Sequence, residues 1–220
     1  MLTTFEQLES RLLLTATAGL RNGTLTILGD GGDDVVQVIG TGSGSVDVML
    51  DDINDGPISS WSGVTNIVIR TRGGLDRIDV FGVALEGNLN INSGGGADEI
   101  FVQSLVIQGS VRINSGAGND TLAYSGGEPC GPSAVTGNVS IKTGAGDDQA
   151  FFSGDNIGIG GNLTVQLGSG NDLMQFSDTT VFGATTLRGG AGFDTLDDGA
   201  STNTLLIPGS FRGFEAGSVF

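Results

Sequence analysis

Histidine is absent from all 220 residues, and with it go the commonest general base and the commonest transition-metal ligand. Histidine-dependent hydrolysis and imidazole-built zinc sites are therefore excluded. The single cysteine, Cys130, cannot close an intramolecular disulfide, and its setting in Gly126-Gly-Glu-Pro-Cys-Gly-Pro-Ser133 reads as an exposed loop with an inert thiol. Basic residues are scarce: 9 Lys and Arg stand against 25 Asp and Glu. The resulting formal charge of −16 repels nucleic acid and anionic membrane and attracts divalent cations. No apolar run approaches the roughly 20 residues that a membrane-spanning helix needs. Prolines number only four and aromatics make up 6% of the chain.

Glycine, by contrast, occurs 40 times, without the three-residue period of collagen, beside enough apolar residues (38%) for a thin continuous core. Much of it falls in a recurring turn that ends in aspartate. The copies are Asp30-Gly-Gly-Asp-Asp34, Arg72-Gly-Gly-Leu-Asp76, Gly94-Gly-Gly-Ala-Asp98, Gly116-Ala-Gly-Asn-Asp120, Gly144-Ala-Gly-Asp-Asp148, Gly168-Ser-Gly-Asn-Asp172 and Gly190-Ala-Gly-Phe-Asp194. Successive aspartates are 42, 22, 22, 28, 24 and 22 residues apart. A period of twenty-odd residues signals stacked repeats, each burying its apolar face against its neighbours.

Within a coil the apolar residues keep fixed offsets. Asp76 is followed by Ile78, Val80, Val83, Leu85, Leu89 and Ile91, and Asp98 by Ile100, Val102, Leu105, Ile107, Val111 and Ile113. After Asp172 the same offsets hold Met174, Phe176, Thr179, Val181, Thr185 and Leu187. Three short alternating runs per coil predict three short strands. The expected fold is all-β, a right-handed parallel β-helix, a three-sided solenoid of about 22 residues per coil, with a short N-terminal helix cap. Residues 1–19 read as a targeting or capping segment, 20–198 as the solenoid and 199–220 as a C-terminal cap. Inserts are expected around Cys130 and around 155–160, and a hairpin leaving the solenoid near 35–66, built on Val35–Ile39 and Val46–Leu50. Thr3-Thr-Phe-Glu6 starts a helix that places Phe5, Leu8 and Leu12 on one face. Trp61 is expected to cover the hydrophobic end, and Phe211, Phe214 and Phe220 to close the other.

Calcium takes six to eight oxygen ligands, which one turn cannot supply and two stacked turns can. Stacking at about 4.8 Å sets neighbouring carboxylates where they repel by roughly 1 kcal/mol in water and roughly 3.5 at an effective dielectric of 20. Bound cations would relieve that repulsion; the alternative is that each aspartate accepts the amides of its own turn and needs no metal. Gly189-Gly-Ala-Gly-Phe-Asp-Thr-Leu-Asp197 resembles the nonapeptide of RTX (hemolysin-type) calcium-binding repeat proteins, and the turns ending in Asp120 and Asp172 are looser copies. The resemblance implies calcium as the cofactor and Asp98, Asp120, Asp148, Asp172 and Asp194 as metal ligands, with Asp34 and Asp76, whose turns carry Asp30 and Arg72 in place of glycine, added to the set. It covers the turns and not the nine-residue RTX roll. A second resemblance lies in Glu6-Gln-Leu-Glu-Ser-Arg-Leu-Leu-Leu-Thr15, which is similar to the LEPR-XLL motif of planctomycete exported proteins, with Ser10 and Thr15 departing from it. That implies a secreted or bacterial cell-surface protein.

The expected function is a non-catalytic calcium-binding solenoid with a structural, adhesive or self-assembling role. Its candidate partners are calcium ions, further copies joined into a homo-oligomer or end-to-end fibre, and surface glycans. The rival reading is a polysaccharide lyase or hydrolase of the parallel β-helix kind, with Asp51 and Asp52 or Asp197 and Asp198 as carboxylate pairs. Against it, Arg70, Arg72 and Arg77 crowd into one coil, and no Lys or Arg lies between Lys142 and Arg188, so no basic groove for acidic sugars is evident.

Overall fold

In the computed structural model the described residues are 16–51, 58–127, 132–154, 156–198 and 203–217. Strands alone make up the regular structure of these residues, and they wind into a β-solenoid of about six turns with about 24 residues per turn. The mean exceeds the expected 22 because the coils bearing the two inserts are longer. The expected N-terminal helix with Phe5, Leu8 and Leu12, the LEPR-XLL-like segment, Asp52, Cys130 and Phe220 lie outside the described residues.

Each coil adds a strand to each of three sheets. The first sheet is built from Thr17–Arg21, Thr24–Leu28, Asn66–Arg70, Leu89–Gly95, Val111–Ala117, Val139–Ala145, Leu163–Ser169, Thr185–Ala191 and Ser210–Arg212, in that order. The second holds ten strands and the third six. Between coils the pairing is parallel and in register, so like residues stack. Ile78, Ile100, Leu122, Ala150, Met174 and Leu196 form one such column. All eighteen apolar or threonine positions expected to face inward from Asp76, Asp98 and Asp172 are buried, including Thr179 and Thr185. Alternation along a strand sends every second side chain inward, so identical offsets fill identical places in the core. Tyr124, Phe152 and Phe176 form an aromatic column, with ring centroids 5.4 and 5.7 Å apart. The Ser133 hydroxyl donates to Tyr124 Oη at 3.1 Å, satisfying the one polar atom of that column.

Antiparallel strands cover the N-terminal end. Thr17–Arg21 folds back on Thr24–Leu28, and Ser45–Leu50 and Ser59–Ser62 extend the second sheet as a meander. Val35–Gly42 and Ser45–Leu50 form the expected hairpin, and its first strand, Val35–Gly42, also lies parallel to Arg77–Phe81 as part of the wall. Val36 and Val38 point into the core, which holds that strand in the sheet. Trp61 packs, half-buried, against the core at this end, where a raw sheet edge would otherwise be open. At the other end Thr204–Leu205, Ser210–Arg212 and Ala216–Gly217 add a parallel strand to each sheet, with Leu205, Phe211 and Phe214 against the core. The C-terminal segment is thus a partial further coil.

The turns need glycine for two reasons at once. Gly96, Gly118, Gly146, Gly170 and Gly192 have φ between +126° and +138° except Gly118 at +125°, and a Cβ on each would collide with the carbonyl of the glycine one coil back. Arg72 holds a φ of +81° where the next coil has Gly94, a strained replacement. The middle turn position is free of both demands: nothing lies nearer than 3.8 Å to a Cβ on Gly95, and its stacked equivalents are Ala117 and Ala145. Gly118→Ala is therefore expected to cost at least about 2 kcal/mol, whereas Gly95→Ala stays within about 0.5 kcal/mol. Denaturant melts of the two variants check this contrast.

Candidate functional site: a buried aspartate ladder

The turn brings its aspartate round so that the carboxylate folds back under the chain rather than out to solvent. All seven expected aspartates, Asp34, Asp76, Asp98, Asp120, Asp148, Asp172 and Asp194, are buried and stand in one line down the solenoid. Each backbone amide donates to the carboxylate one coil further on. Asp34 N–H bonds Asp76 Oδ1 at 2.9 Å, and the chain continues to Asp98, Asp120, Asp148, Asp172 and Asp194 at 2.8–3.0 Å. The last amide, on Asp194, donates to Glu215 Oε2 at 2.8 Å. The bond joins one coil to the next, and not an aspartate to its own turn as the metal-free alternative supposed.

A hydroxyl ladder runs alongside, five residues before Asp76, Asp98, Asp120 and Asp148. Thr71, Ser93, Ser115 and Thr143 donate to the carbonyls of Ser93, Ser115, Thr143 and Leu167 at 2.7–3.2 Å. Oδ2 of Asp76, Asp98, Asp120, Asp148, Asp172 and Asp194 is buried without a hydrogen-bond partner. Burial away from water pushes these carboxyls up, Asp76 and Asp148 to about 6, and the neighbouring carboxylates add to the rise. The facing amide and the Thr71 or Thr143 hydroxyl pull the other way and are outweighed. Asp98, Asp120, Asp172 and Asp194 are raised for the same leading reason.

This donor set supplies only part of a calcium shell. The unpartnered Oδ2 atoms are hard, anionic and regularly spaced. The middle-turn carbonyls are already engaged: those of Gly95, Ala117, Ala145, Ser169 and Ala191 accept an amide of the preceding turn at 2.7–2.9 Å. Among the described residues no three acidic, histidine or cysteine side chains come together as a metal-holding group. As arranged, the ladder is therefore not a closed calcium cage of six to eight oxygens.

Sequence reasoning missed three parts of this arrangement. Glu215 ends the ladder, and its signals are an acid 21 residues after Asp194 and the Gly213-Phe214 that precedes it as Gly192-Phe193 precedes Asp194. The hydroxyl ladder was signalled by Thr or Ser five residues before four of the aspartates. At another corner Asn66, Asn88, Ser110, Asn138 and Asn162 each accept the amide one coil on at 2.8–3.1 Å, and the recurrent Gly-Asn dipeptide announces it. Of the candidate acid pairs, Asp51 accepts the Ala16 amide at 3.1 Å, and Asp197 ends a strand of the second sheet. No family model, curated protein or solved structure matches the chain.

Two outcomes are expected. Asp120→Ala leaves the Asp98 amide buried without an acceptor and should cost about 2–3 kcal/mol, whereas Asp120→Asn keeps the Oδ1 acceptor and sheds the charge, holding or raising stability at pH 7. Thermal denaturation of both variants reads this directly. The second outcome concerns pH. A carboxyl at about 6 when folded and 3.8 otherwise binds more protons in the folded state between those values. Its stabilising contribution is complete below the lower value and is lost as pH rises through about 6. In chelator, the melting temperature should rise between about pH 7.5 and about pH 5, opposite to ordinary acid denaturation.

Proposed function

We propose that the chain is a non-catalytic structural solenoid of the cell surface or extracellular space, its three stacked sheets being the faces of a right-handed parallel β-helix. The observation that carries this reading is the aspartate ladder. Six consecutive inter-coil bonds to buried carboxylates hold every coil to the next at one corner. Groups so buried and so repetitive serve a stack, and a stiff rod or adhesive spacer is what a stack provides. The LEPR-XLL-like segment supports export, and end-to-end association would extend the rod.

Calcium enters this reading as the ion that neutralises the row. Its support is the RTX-like turn and the unpartnered Oδ2 atoms of Asp76 to Asp194. Loading would require turn carbonyls to exchange their amide partners for the ion, so it would tighten and remodel the turns together. Binding to the folded state alone stabilises by mass action. At pH 7.5, millimolar calcium should raise the melting temperature by several degrees over chelator, and the gain should fade near pH 5 as protons take the same carboxylates. Calorimetric titration with calcium, paired with those melts, is the test. No heat and no shift at pH 7.5 would remove calcium from the account and leave the hydrogen-bonded ladder as the staple.

A further inference from the structure

The outer face of the first sheet is chemically unlike the rest of this acidic molecule. Its nine strands contain no Asp or Glu, yet they hold Arg21, Arg70, Arg112, Lys142, Arg188 and Arg212, six of the chain's 9 basic residues. All six side chains are exposed. Among the described residues the only ion pairs are those of Arg77, on the second sheet, so no described carboxylate pairs with any of the six.

Register gathers what the sequence scatters. Arg70, Lys142, Arg188 and Arg212 fall in one column, with the amides Asn92, Asn114 and Gln166 between them. Six strand spacings of about 4.8 Å make this column about 29 Å long. Arg112 stands in the adjoining column between Asn90 and Ser140. Three shallow concavities overlap along the same face, all lined by Arg112, with Asn114 shared by two of them and Ser140 by two.

We propose that this face binds an extended acidic polysaccharide. Charge complementarity names the sign: four cations and three amides in line match a linear chain with spaced anionic groups and many hydroxyls. The rest of the face narrows the class. The outward positions of this sheet carry no aromatic ring on which a nucleic-acid base could stack. They also carry no aromatic anchor of the kind that centres a protein interface. With no carboxylate on the face to act as acid or base, the contact is one of binding without hydrolysis. The inference adds a partner to the structural role and does not depend on calcium.

The test is affinity electrophoresis of the whole chain, in chelator so that calcium cannot bridge, through gels containing polygalacturonate, dextran sulfate, neutral dextran or single-stranded DNA. The wild type should be retarded by an anionic glycan and not by dextran, and the carboxylated and sulfated gels tell which anion is preferred. Raising NaCl from about 50 mM to about 300 mM should weaken retardation several-fold. The triple variant R112Q/K142Q/R188Q should bind at least about tenfold more weakly, with R77Q unchanged and both variants retaining the wild-type strand signal and cooperative melt. Absence of retardation by either anionic glycan, equal binding by the triple variant, or tighter binding of the DNA would overturn the proposal. So would concentration-dependent dimerisation that the triple variant abolishes, which would assign the face to a second copy.

Discussion

Every feature of this molecule depends on one spacing, the rise from coil to coil. Parallel in-register pairing places each backbone amide and each side chain directly over its counterpart, so a polar group that suits one coil must suit all of them. An aspartate whose Oδ1 meets the amide one coil back solves this for the turn corner, because the same residue is both donor and acceptor and the pattern propagates without limit. Asparagine does so at another corner and serine or threonine inside. What remains is a carboxylate oxygen per coil that is buried and unbonded, and this ties the stability of the stack to whatever neutralises it.

The same register sorts charge. Turns and the second sheet carry the exposed acids, the ladder buries seven more, and the first sheet is left with cations alone. A chain of −16 formal charge thus presents faces of opposite character. The stack thus carries a row of carboxylates at one corner and cations on the outer face of the first sheet.

Much of the fold was legible because it repeats. Six offsets counted from Asp76, Asp98 and Asp172 identify the inward residues, since alternation and a constant period leave them nowhere else to point. The hairpin of Val35–Ile39 and Val46–Leu50 was legible from its alternation, but the pairing of its first strand with Arg77–Phe81, which makes that strand part of the wall, was not. The aspartates were found, but not the direction of their side chains, which only the in-register amide one coil back reveals. The basic face was hidden altogether. Arg70, Lys142 and Arg188 are far apart in sequence and neighbours in one column only after the coils are stacked.

The central claim is that the aspartate amides are locked to carboxylates of the next coil. Hydrogen exchange at the amides of Asp76, Asp98, Asp120 and Asp148, followed residue by residue by NMR, tests it most directly. The account predicts protection as strong as that of the central strand amides, such as Ile100 and Leu122, because these bonds open only when coils separate. Exchange as fast as that of exposed turn amides would show that the corner is open to water and that the ladder does not hold the stack together.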